Sequence, residues 1–180
     1  MSVRDNRLDN LDALAALAVL GAVGAGYGLQ WLGGMEPCSF CLLERYLLIA
    51  LGAAFALIAL VPPLGNRHGL AAVLVLLPTT AGVAATVQHL RIQAGAAPAT
   101  CGEGGAPAWS PLGPGLPAET AAPSGWWGWL PEAAASCAEP DRLLGIPLVV
   151  WALAAFLAFG GTGAIAHAVA AVRRSDPFQG

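Results

Sequence analysis

Charge is scarce in this sequence of 180 residues: charged side chains make up 11% of it, whereas soluble proteins are about one quarter charged. It contains no lysine, and its 8 basic residues are all arginine, against 11 acidic residues. Nucleic-acid binding needs clustered basic side chains that neutralise phosphates, so that class is excluded. Disordered chains are poor in apolar residues, whereas 57% of this chain is hydrophobic. The composition therefore indicates an integral membrane protein.

Four segments are long and apolar enough to cross a bilayer, which takes about 20 residues of helix. They are residues 11–32, 42–64, 69–90 and 146–172. Membrane strands alternate polar and apolar residues, whereas these runs are continuous, so helices are expected. Gly24 and Gly28 in the first run predict close packing against another helix. The sequence thus predicts an all-α membrane protein: a four-helix transmembrane bundle forming a single domain over residues 1–180.

The positions of the arginines predict the orientation of this bundle. One side would carry Arg4, Arg7, Arg67, Arg173 and Arg174, and the other Arg91 and Arg142. The side richer in arginine is expected to face the cytoplasm. Both termini would then be cytoplasmic, and the connections 33–41 and 91–145 would lie outside.

The long outer connection has its own composition. Proline and glycine are frequent from Pro98 to Pro140, so little regular secondary structure is expected there. It also contains Trp109 and three further tryptophans within residues 125–130. Because indole rings favour the headgroup region, the tryptophan-rich run predicts a short interfacial segment on the membrane surface. Packing of these aromatic rings on the helix ends is the alternative.

The four cysteines lie outside the spans or at their outer ends: Cys38, Cys41, Cys101 and Cys137. Cysteines that serve as small apolar fillers are usually found inside helices. On the outer side of a bacterial cell disulfides persist, and four cysteines allow three pairings. The close pair Cys38 and Cys41 indicates a redox-active unit. Two structural disulfides are an alternative; a four-thiolate zinc site is disfavoured, because Cys101 and Cys137 lack a second close spacing.

The surroundings of the close pair favour reactivity. Cys41 is expected in the first turn of the second span, where backbone N–H groups and the helix dipole stabilise a thiolate. Arg45 follows four residues later on the same helical face and would lower the pKa of Cys41 further. The alternative for Arg45 is an interfacial anchor. Glu44 is open to two interpretations: balancing Arg45 or reaching the headgroups.

His89 is expected at the outer end of the third span, at the membrane depth of Cys41 and Arg45. Donors from His89 and Arg45 could hold a quinone carbonyl beside Cys41, with the quinone tail in lipid. Ubiquinone and menaquinone fit equally well, and no metal is expected in this interpretation. His68 and His167 are expected toward the inner side, and the sequence assigns them no function.

The segment from Glu36 to Arg45 resembles the DsbB family of quinone-coupled disulfide-forming membrane proteins. The resemblance extends, in order, to Gln88-His89, Cys101 and residues 136–139, and therefore covers nearly the whole chain. Vitamin K epoxide reductases also have four helices and a CxxC, but their loop pair precedes it. The resemblance implies a thiol oxidoreductase of the bacterial inner membrane with periplasmic cysteines. It would reoxidise a DsbA-like thioredoxin-fold protein and pass two electrons to quinone.

The tether lengths predict separate roles for the cysteines. Cys137 lies a few residues from the last span and should stay within roughly 15 Å of the membrane surface. Cys101 hangs from a longer flexible stretch, so we expect it to form the mixed disulfide with the partner. Cys137 would then exchange with Cys38, and Cys41 would face the quinone. Three alternatives stay open: a paralogue with a dedicated partner, a membrane metal carrier with cysteine ligands, and a purely structural four-helix protein.

Overall fold

The fold is given by a computed structural model that describes residues 3–33, 38–60, 67–96 and 140–175. Three long helices come first: α1 (Val3–Gly33), α2 (Ser39–Leu60) and α3 (Arg67–Gln93). A small hairpin follows, formed by β1 (Arg142–Leu143) and β2 (Ile146–Pro147). The last long helix consists of α4 (Leu148–Ala155), a π-helical turn (Phe156–Gly161) and α5 (Thr162–Ser175). The predicted Trp-rich segment, Cys101 and Cys137 lie outside the described residues.

Four helices in the described ranges are long and apolar enough to cross a membrane: Arg7–Gly33, Phe40–Leu60, His68–Gln93 and Leu148–Arg174. Large apolar side chains point away from the protein interior, and Leu17 and Leu60 are 70% and 82% exposed. Such a surface is stable in lipid and unstable in water. The predicted four-helix transmembrane architecture is therefore confirmed, and the chain is a multi-pass membrane protein.

The fourth helix begins later than the sequence predicted. Residue 146 was the expected start, but Ile146 and Pro147 form β2 and the helix starts at Leu148. Leu144 and Gly145 both have positive φ values, 55° and 81°, which makes the tight turn of a two-residue hairpin. Pro147 then holds φ −54° and ψ 137°, an extended conformation that precedes the first helical turn. The Leu148 N–H donates to Asp141 O at 2.9 Å, which ties hairpin and helix together.

Close contacts between α3 and the fourth helix build the centre of the bundle. Phe156 is fully buried and lies directly against Gly82, where a Cβ would overlap its ring. One turn on, the space beside Gly160 in the π-helical turn is filled by Thr79. The wider π-helical turn follows Phe156 and shifts the register of the helix behind it. Because glycine has no side chain, Phe156 and Thr79 can pack directly against the backbone of the neighbouring helix.

The helices alternate in direction, so the bundle has two chemically different ends. Contacts of α2 run mainly to α1 and α3, and α3 also packs along the fourth helix. One end, here called the thiol end, holds Gly33, Ser39, Gln93 and Leu148. The opposite end, here called the far end, holds the start of α1 and of α3 and the last turns of α5. The alternating directions of the helices thus place two groups of buried polar side chains at opposite ends of the bundle.

Candidate functional site

Cys38 and Cys41 mark the beginning of α2 at the thiol end. Cys38 stands in the N-cap position: its carbonyl accepts the Leu42 N–H at 3.1 Å, and its sulfur accepts the Cys41 N–H at 3.2 Å. The two sulfur atoms are 2.9 Å apart. Because the first N–H groups of a helix lack partners within it, a sulfur in this position receives a donor and the positive end of the helix dipole. The arrangement brings two thiols together, with a thiolate favoured on one of them.

That thiolate is favoured at Cys38. A hydrogen bond from the Cys41 thiol, together with the Cys41 backbone N–H, lowers the pKa of Cys38, although burial and the Glu44 carboxylate act in the opposite direction. The sequence predicted the activated sulfur to be Cys41. The N-terminal donors instead converge on Cys38, because the cap position, rather than the first turn, faces the free N–H groups. Cys38 is buried, and Cys41 is partly exposed.

On the α3 side, His89 lies beside Cys38. His89 Nε2 is 3.7 Å from Cys38 Sγ, and the imidazole stacks on Phe40 with ring centroids 5.6 Å apart. His89 Nδ1 is 2.9 Å from a carboxylate oxygen of Glu44, which is itself buried. Since a carboxylate accepts hydrogen bonds, Nδ1 carries a hydrogen, and the ring presents Nε2 toward Cys38 and the Gln93 amide. Glu44 therefore sets the orientation and tautomer of His89.

Arg45 faces α1. Its guanidinium donates a hydrogen bond to Gln30 Oε1 and lies over the ring of Tyr27, with Cζ 4.8 Å from the ring centroid. The cation–π contact with Tyr27 and the hydrogen bond to Gln30 hold the guanidinium against α1. Arg45 itself follows Cys41 by one turn on α2. The site thus has two sides: His89 with Cys38 toward α3, and Arg45 with Tyr27 and Gln30 toward α1.

Four of the six site residues predicted from the sequence are described, and the structure brings Cys38, Cys41, Arg45 and His89 to one end of the bundle. Two groups result: His89 contacts Cys38 and Glu44, whereas Arg45 contacts α1. The sequence missed Gln30 and Tyr27 altogether and left Glu44 undecided. Only the four-residue spacing from Cys41 to Arg45 was visible in the sequence. The partners of Glu44 and Arg45 lie 45 and 15 residues away along the chain.

Two further features could receive a ligand. A narrow apolar cleft of about 60 Å³ lies between α2 and α3, and its lining consists of Phe40, Leu43, Leu47, Ala81, Ala85 and Gln88. Separately, one ligand atom from each of Cys38, Cys41 and His89 lies within 4.8 Å of the others, a set that could hold a metal ion. Among the described residues, this is the one group of three histidine, cysteine or acidic side chains that could hold a metal ion.

Two sulfurs in contact, with the pKa of one of them lowered, meet the requirement for thiol–disulfide exchange. A family model described as Disulfide bond formation protein DsbB matches residues 9–166 of the chain. The chain is also similar to Disulfide bond formation protein B of Neisseria gonorrhoeae, with 35% identity over 133 residues, 72% of this chain and 76% of that protein.

Two more relatives agree with this match. The proteins are Disulfide bond formation protein B of Alkalilimnicola ehrlichii, 33% identical over 76% of this chain and 78% of that protein, and Disulfide bond formation protein B 1 of Pseudomonas savastanoi pv. phaseolicola, 33% identical over 74% of each chain. The resemblance seen in the sequence is confirmed. The chain therefore belongs to the DsbB family, as a multi-pass membrane oxidoreductase of disulfide bond formation.

Proposed function

We propose that the protein reoxidises a DsbA-like thioredoxin-fold dithiol protein and delivers the two electrons to membrane quinone. The observation that carries this proposal is the pair Cys38 and Cys41 at the start of a membrane-spanning helix, with the two sulfurs 2.9 Å apart. Hydrogen bonds lower the pKa of Cys38, and the Arg45 cation lies one turn from Cys41. This is the pair expected where a water-soluble donor and a lipid-soluble acceptor are to exchange electrons.

In each exchange of the proposed route, one S–S bond forms as another S–S bond breaks. The client thiolate attacks Cys101, and the disulfide between Cys101 and Cys137 breaks as the mixed disulfide forms. The released Cys137 thiolate then attacks Cys38, which breaks the disulfide between Cys38 and Cys41 and leaves Cys41 as the thiolate. The client's second thiol displaces Cys101 and completes its own disulfide. The Cys101 thiolate then attacks Cys137, which re-forms the disulfide between Cys101 and Cys137 and releases Cys38. The two electrons now reside on the reduced pair Cys38 and Cys41, which a bound quinone would reoxidise to the disulfide.

Chain connectivity supports the assignment of Cys137. Cys137 precedes Pro140, the first residue of the described hairpin segment, by three residues, so it can lie at most about 11 Å from it. The hairpin is tied to the start of the fourth helix at the thiol end. This short tether to the thiol end supports the proposed exchange of Cys137 with Cys38.

The residues on the α1 side fit a quinone head group. Arg45 is a fixed N–H donor with its charge near the membrane surface, and Cys41 is four residues from it on the same face. The neighbouring α1 surface is open to lipid: Tyr27 and Trp31 are 40% and 90% exposed. A bound quinone supplies an acceptor of two electrons and two protons. The sequence predicted His89 as a second donor to the quinone. Because His89 is buried and lies beside Cys38, we propose that it acts on the quinone through Cys38.

The orientation is proposed from the arginine distribution. The thiol end would face the periplasm and both termini the cytoplasm, in a bacterial inner membrane. An oxidising compartment on that side allows the disulfides to persist.

Electron transfer between purified components tests the proposed function. Reduced thioredoxin-fold client and a water-soluble quinone analogue are mixed with the protein in detergent, and loss of quinone absorbance is followed with loss of client thiols. Equal stoichiometry of client disulfide and quinol is expected. Cys101→Ser should abolish client oxidation, whereas the Cys38 and Cys41 pair should still transfer electrons from a small dithiol. Absence of any electron transfer by the unaltered protein would refute the proposal.

A second candidate function, metal binding, is favoured by the cluster of Cys38, Cys41 and His89. Glu44 contacts the other ring nitrogen of His89, as a carboxylate commonly does where a histidine binds a metal ion. Metal content of the purified protein with and without reductant separates the two candidates. A resident metal ion that survives purification in reductant and blocks alkylation of both thiols would favour metal binding; metal-free protein that turns over client would favour electron transfer.

A further inference from the structure

A second cluster of buried titratable side chains lies at the far end of the bundle, remote from the thiols. Asp12 of α1, His167 of α5 and His68 of α3 are 4%, 1% and 2% exposed. Along α3, 21 residues separate His68 from His89, about 31 Å of helix. Nothing in the thiol chemistry uses these three residues. Titratable groups buried within membrane spans are rare and face the bundle interior, where they commonly bind or relay protons.

The three side chains are joined in a row. His167 Nε2 is 3.1 Å from Asp12 Oδ1, and His167 Nδ1 is 3.3 Å from His68 Nδ1. Buried alanines lie one turn toward the membrane centre from each member: Ala16, Ala71 and Ala164. Their small side chains let the three helices approach closely. The row therefore lies at the edge of the main hydrophobic cluster, away from lipid.

Hydrogen-bond chemistry fixes where the protons are. A carboxylate only accepts, so His167 must carry its hydrogen on Nε2. A neutral His167 then has an acceptor at Nδ1, and His68 must donate from its own Nδ1. In this state the row has two neutral imidazoles and one carboxylate, and its net charge is −1. Asp12 Oδ2 is buried and accepts no hydrogen bond from the described residues, so this charge is poorly compensated.

We propose that Asp12, His167 and His68 form a proton-binding site that takes up one proton and holds α1 against α3 and α5. A proton added at His68 Nε2 gives an imidazolium; transfer of the shared Nδ1 hydrogen across the 3.3 Å contact moves the positive charge to His167, beside Asp12. The occupied row has no net charge. A second proton is excluded, because both Nδ1 atoms would then carry hydrogens that point at each other.

The site matters for α1 because α1 packs mainly against α2. In the described ranges, the hydrogen bond from His167 to Asp12 links α1 to the fourth helix. The same helix supplies Gln30 and Tyr27 to Arg45 at the thiol end. Proton occupancy at the far end thus stabilises the helix that holds Arg45.

Other charged groups lie near the ends of the helices that form the site. On α1, Asp9 precedes Asp12 by one turn; on α5, Arg173 and Arg174 follow His167; on α3, Arg67 precedes His68. The segment 47–60 of α2 contains no titratable residue. Of these groups, only Asp9 matches Asp12 in charge and helix, which makes it the control position.

Nitrogen NMR tests the protonation pattern in the unaltered protein. The chain has 3 histidines, so ¹⁵N-histidine labelling yields three ring systems, and His89→Asn assigns one of them by elimination. At high pH we expect the Nε2–H tautomer on His167 and the Nδ1–H tautomer on His68. On acidification the two rings should take up one proton between them. The opposite tautomers, or two rings that each become imidazolium, would overturn the proposal.

Thermal unfolding in detergent tests the link to stability. Asp12→Asn retains an acceptor for His167 but lacks the charge that balances an imidazolium. It should unfold close to the unaltered protein at pH 8 and roughly 5–10 °C lower at pH 6. Asp9→Asn, which removes the same charge one turn away, should show an equal difference at both pH values. A pH-independent loss in Asp12→Asn would mean a neutral structural hydrogen bond and would refute proton binding, whichever result the thiol assays give.

Discussion

Cys38 shows how one position of a helix start decides thiol chemistry. The side chain at the N-cap receives the Cys41 N–H, whereas the residue in the first turn supplies that donor. With the Cys41 thiol also donating, Cys38 is the residue with the lowered pKa. The CxxC spacing places the second cysteine where its own N–H and S–H both reach the first. We therefore expect Cys38 to be the more reactive sulfur of the pair in thiol–disulfide exchange.

Alkylation kinetics test whether the pKa of Cys38 is lowered. In a reduced chain with Cys101→Ser and Cys137→Ser, the rate of iodoacetamide reaction at Cys38 should rise with pH with a midpoint below the ordinary value of about 8.5. The sign follows from the reacting species: a lowered pKa keeps the thiolate populated as pH falls. Mass spectrometry distinguishes Cys38 from Cys41.

The matched variant for this measurement is Cys41→Ala, which removes the largest source of the shift. Its midpoint should move up toward that of an ordinary thiol. If the midpoint of Cys38 lies at or above the ordinary value in both forms, the cap does not stabilise the thiolate.

Arg45 provides the second residue-scale prediction. Its guanidinium contacts Gln30 and Tyr27, and a charge-assisted hydrogen bond is worth about 1.5–3 kcal/mol. Under the proposed function, Arg45→Ala should raise the apparent KM for the quinone analogue by about tenfold or more, because the carbonyl loses its cationic donor. Formation of the mixed disulfide with the client should persist. Steady-state kinetics at varied quinone concentration measure the effect.

Arg91→Ala is the matched control, since Arg91 is an exposed arginine in the last turn of α3 at the same end. It should leave the apparent KM unchanged. Equal KM values for the Arg45→Ala and unaltered proteins would remove Arg45 from the quinone site.

Among the secondary-structure elements, some glycines lie in close contacts between helices and others lie on open helix faces. Gly82 and Gly160 lie where α3 and the fourth helix approach most closely, under Phe156 and Thr79. The sequence instead predicted close packing at Gly24 and Gly28. That prediction is wrong for the described residues, because a Cβ at either position would meet nothing within 4 Å. A small-residue spacing alone does not say which face of a helix meets a neighbour.

Thermal unfolding of two glycine variants tests this difference. Gly82→Ala should destabilise the bundle by about 1–3 kcal/mol, because the new methyl group overlaps the buried ring of Phe156. Gly24→Ala should be neutral or slightly stabilising, since alanine favours the helix and the position is open. Loss of stability of the same size in both variants would contradict the packing described for α3 and the fourth helix.

At the scale of the whole molecule, the two ends of the bundle hold different buried polar clusters. One contains Cys38, His89 and Glu44, and the other contains Asp12, His167 and His68. Between them lies an apolar layer with Leu51, Phe55 and Phe156 at its centre. Because buried polar groups in a membrane must find partners inside the protein, each cluster fixes the rotation of the helices it joins.

Labelling of single cysteines in intact cells tests the proposed orientation. In a chain with all four native cysteines replaced by serine, Arg142→Cys at the thiol end should react with a membrane-impermeant maleimide. Ser175→Cys at the far end should react only after the cells are permeabilised. The arginine distribution is the physical reason, because it favours a cytoplasmic far end. The reverse labelling pattern would contradict it.

The amino-acid sequence was sufficient to identify the class of molecule, the number of spans and the location of the CxxC pair. Continuous apolar runs of sufficient length have few stable forms in lipid, and CxxC with Arg45 is a local pattern set by helix geometry alone. Local information also predicted that His89 and the thiols share one membrane depth, since rise per residue fixes depth.

Which partners these side chains meet depends on how the helices pack against one another. The rotation of α2 gives Glu44 to His89 and turns Arg45 toward α1, and the same kind of docking joins Asp12, His167 and His68. These contacts span 15 to 155 residues of sequence. They depend on how apolar faces and close glycine contacts set the helix rotations, and no spacing within a single helix encodes that choice.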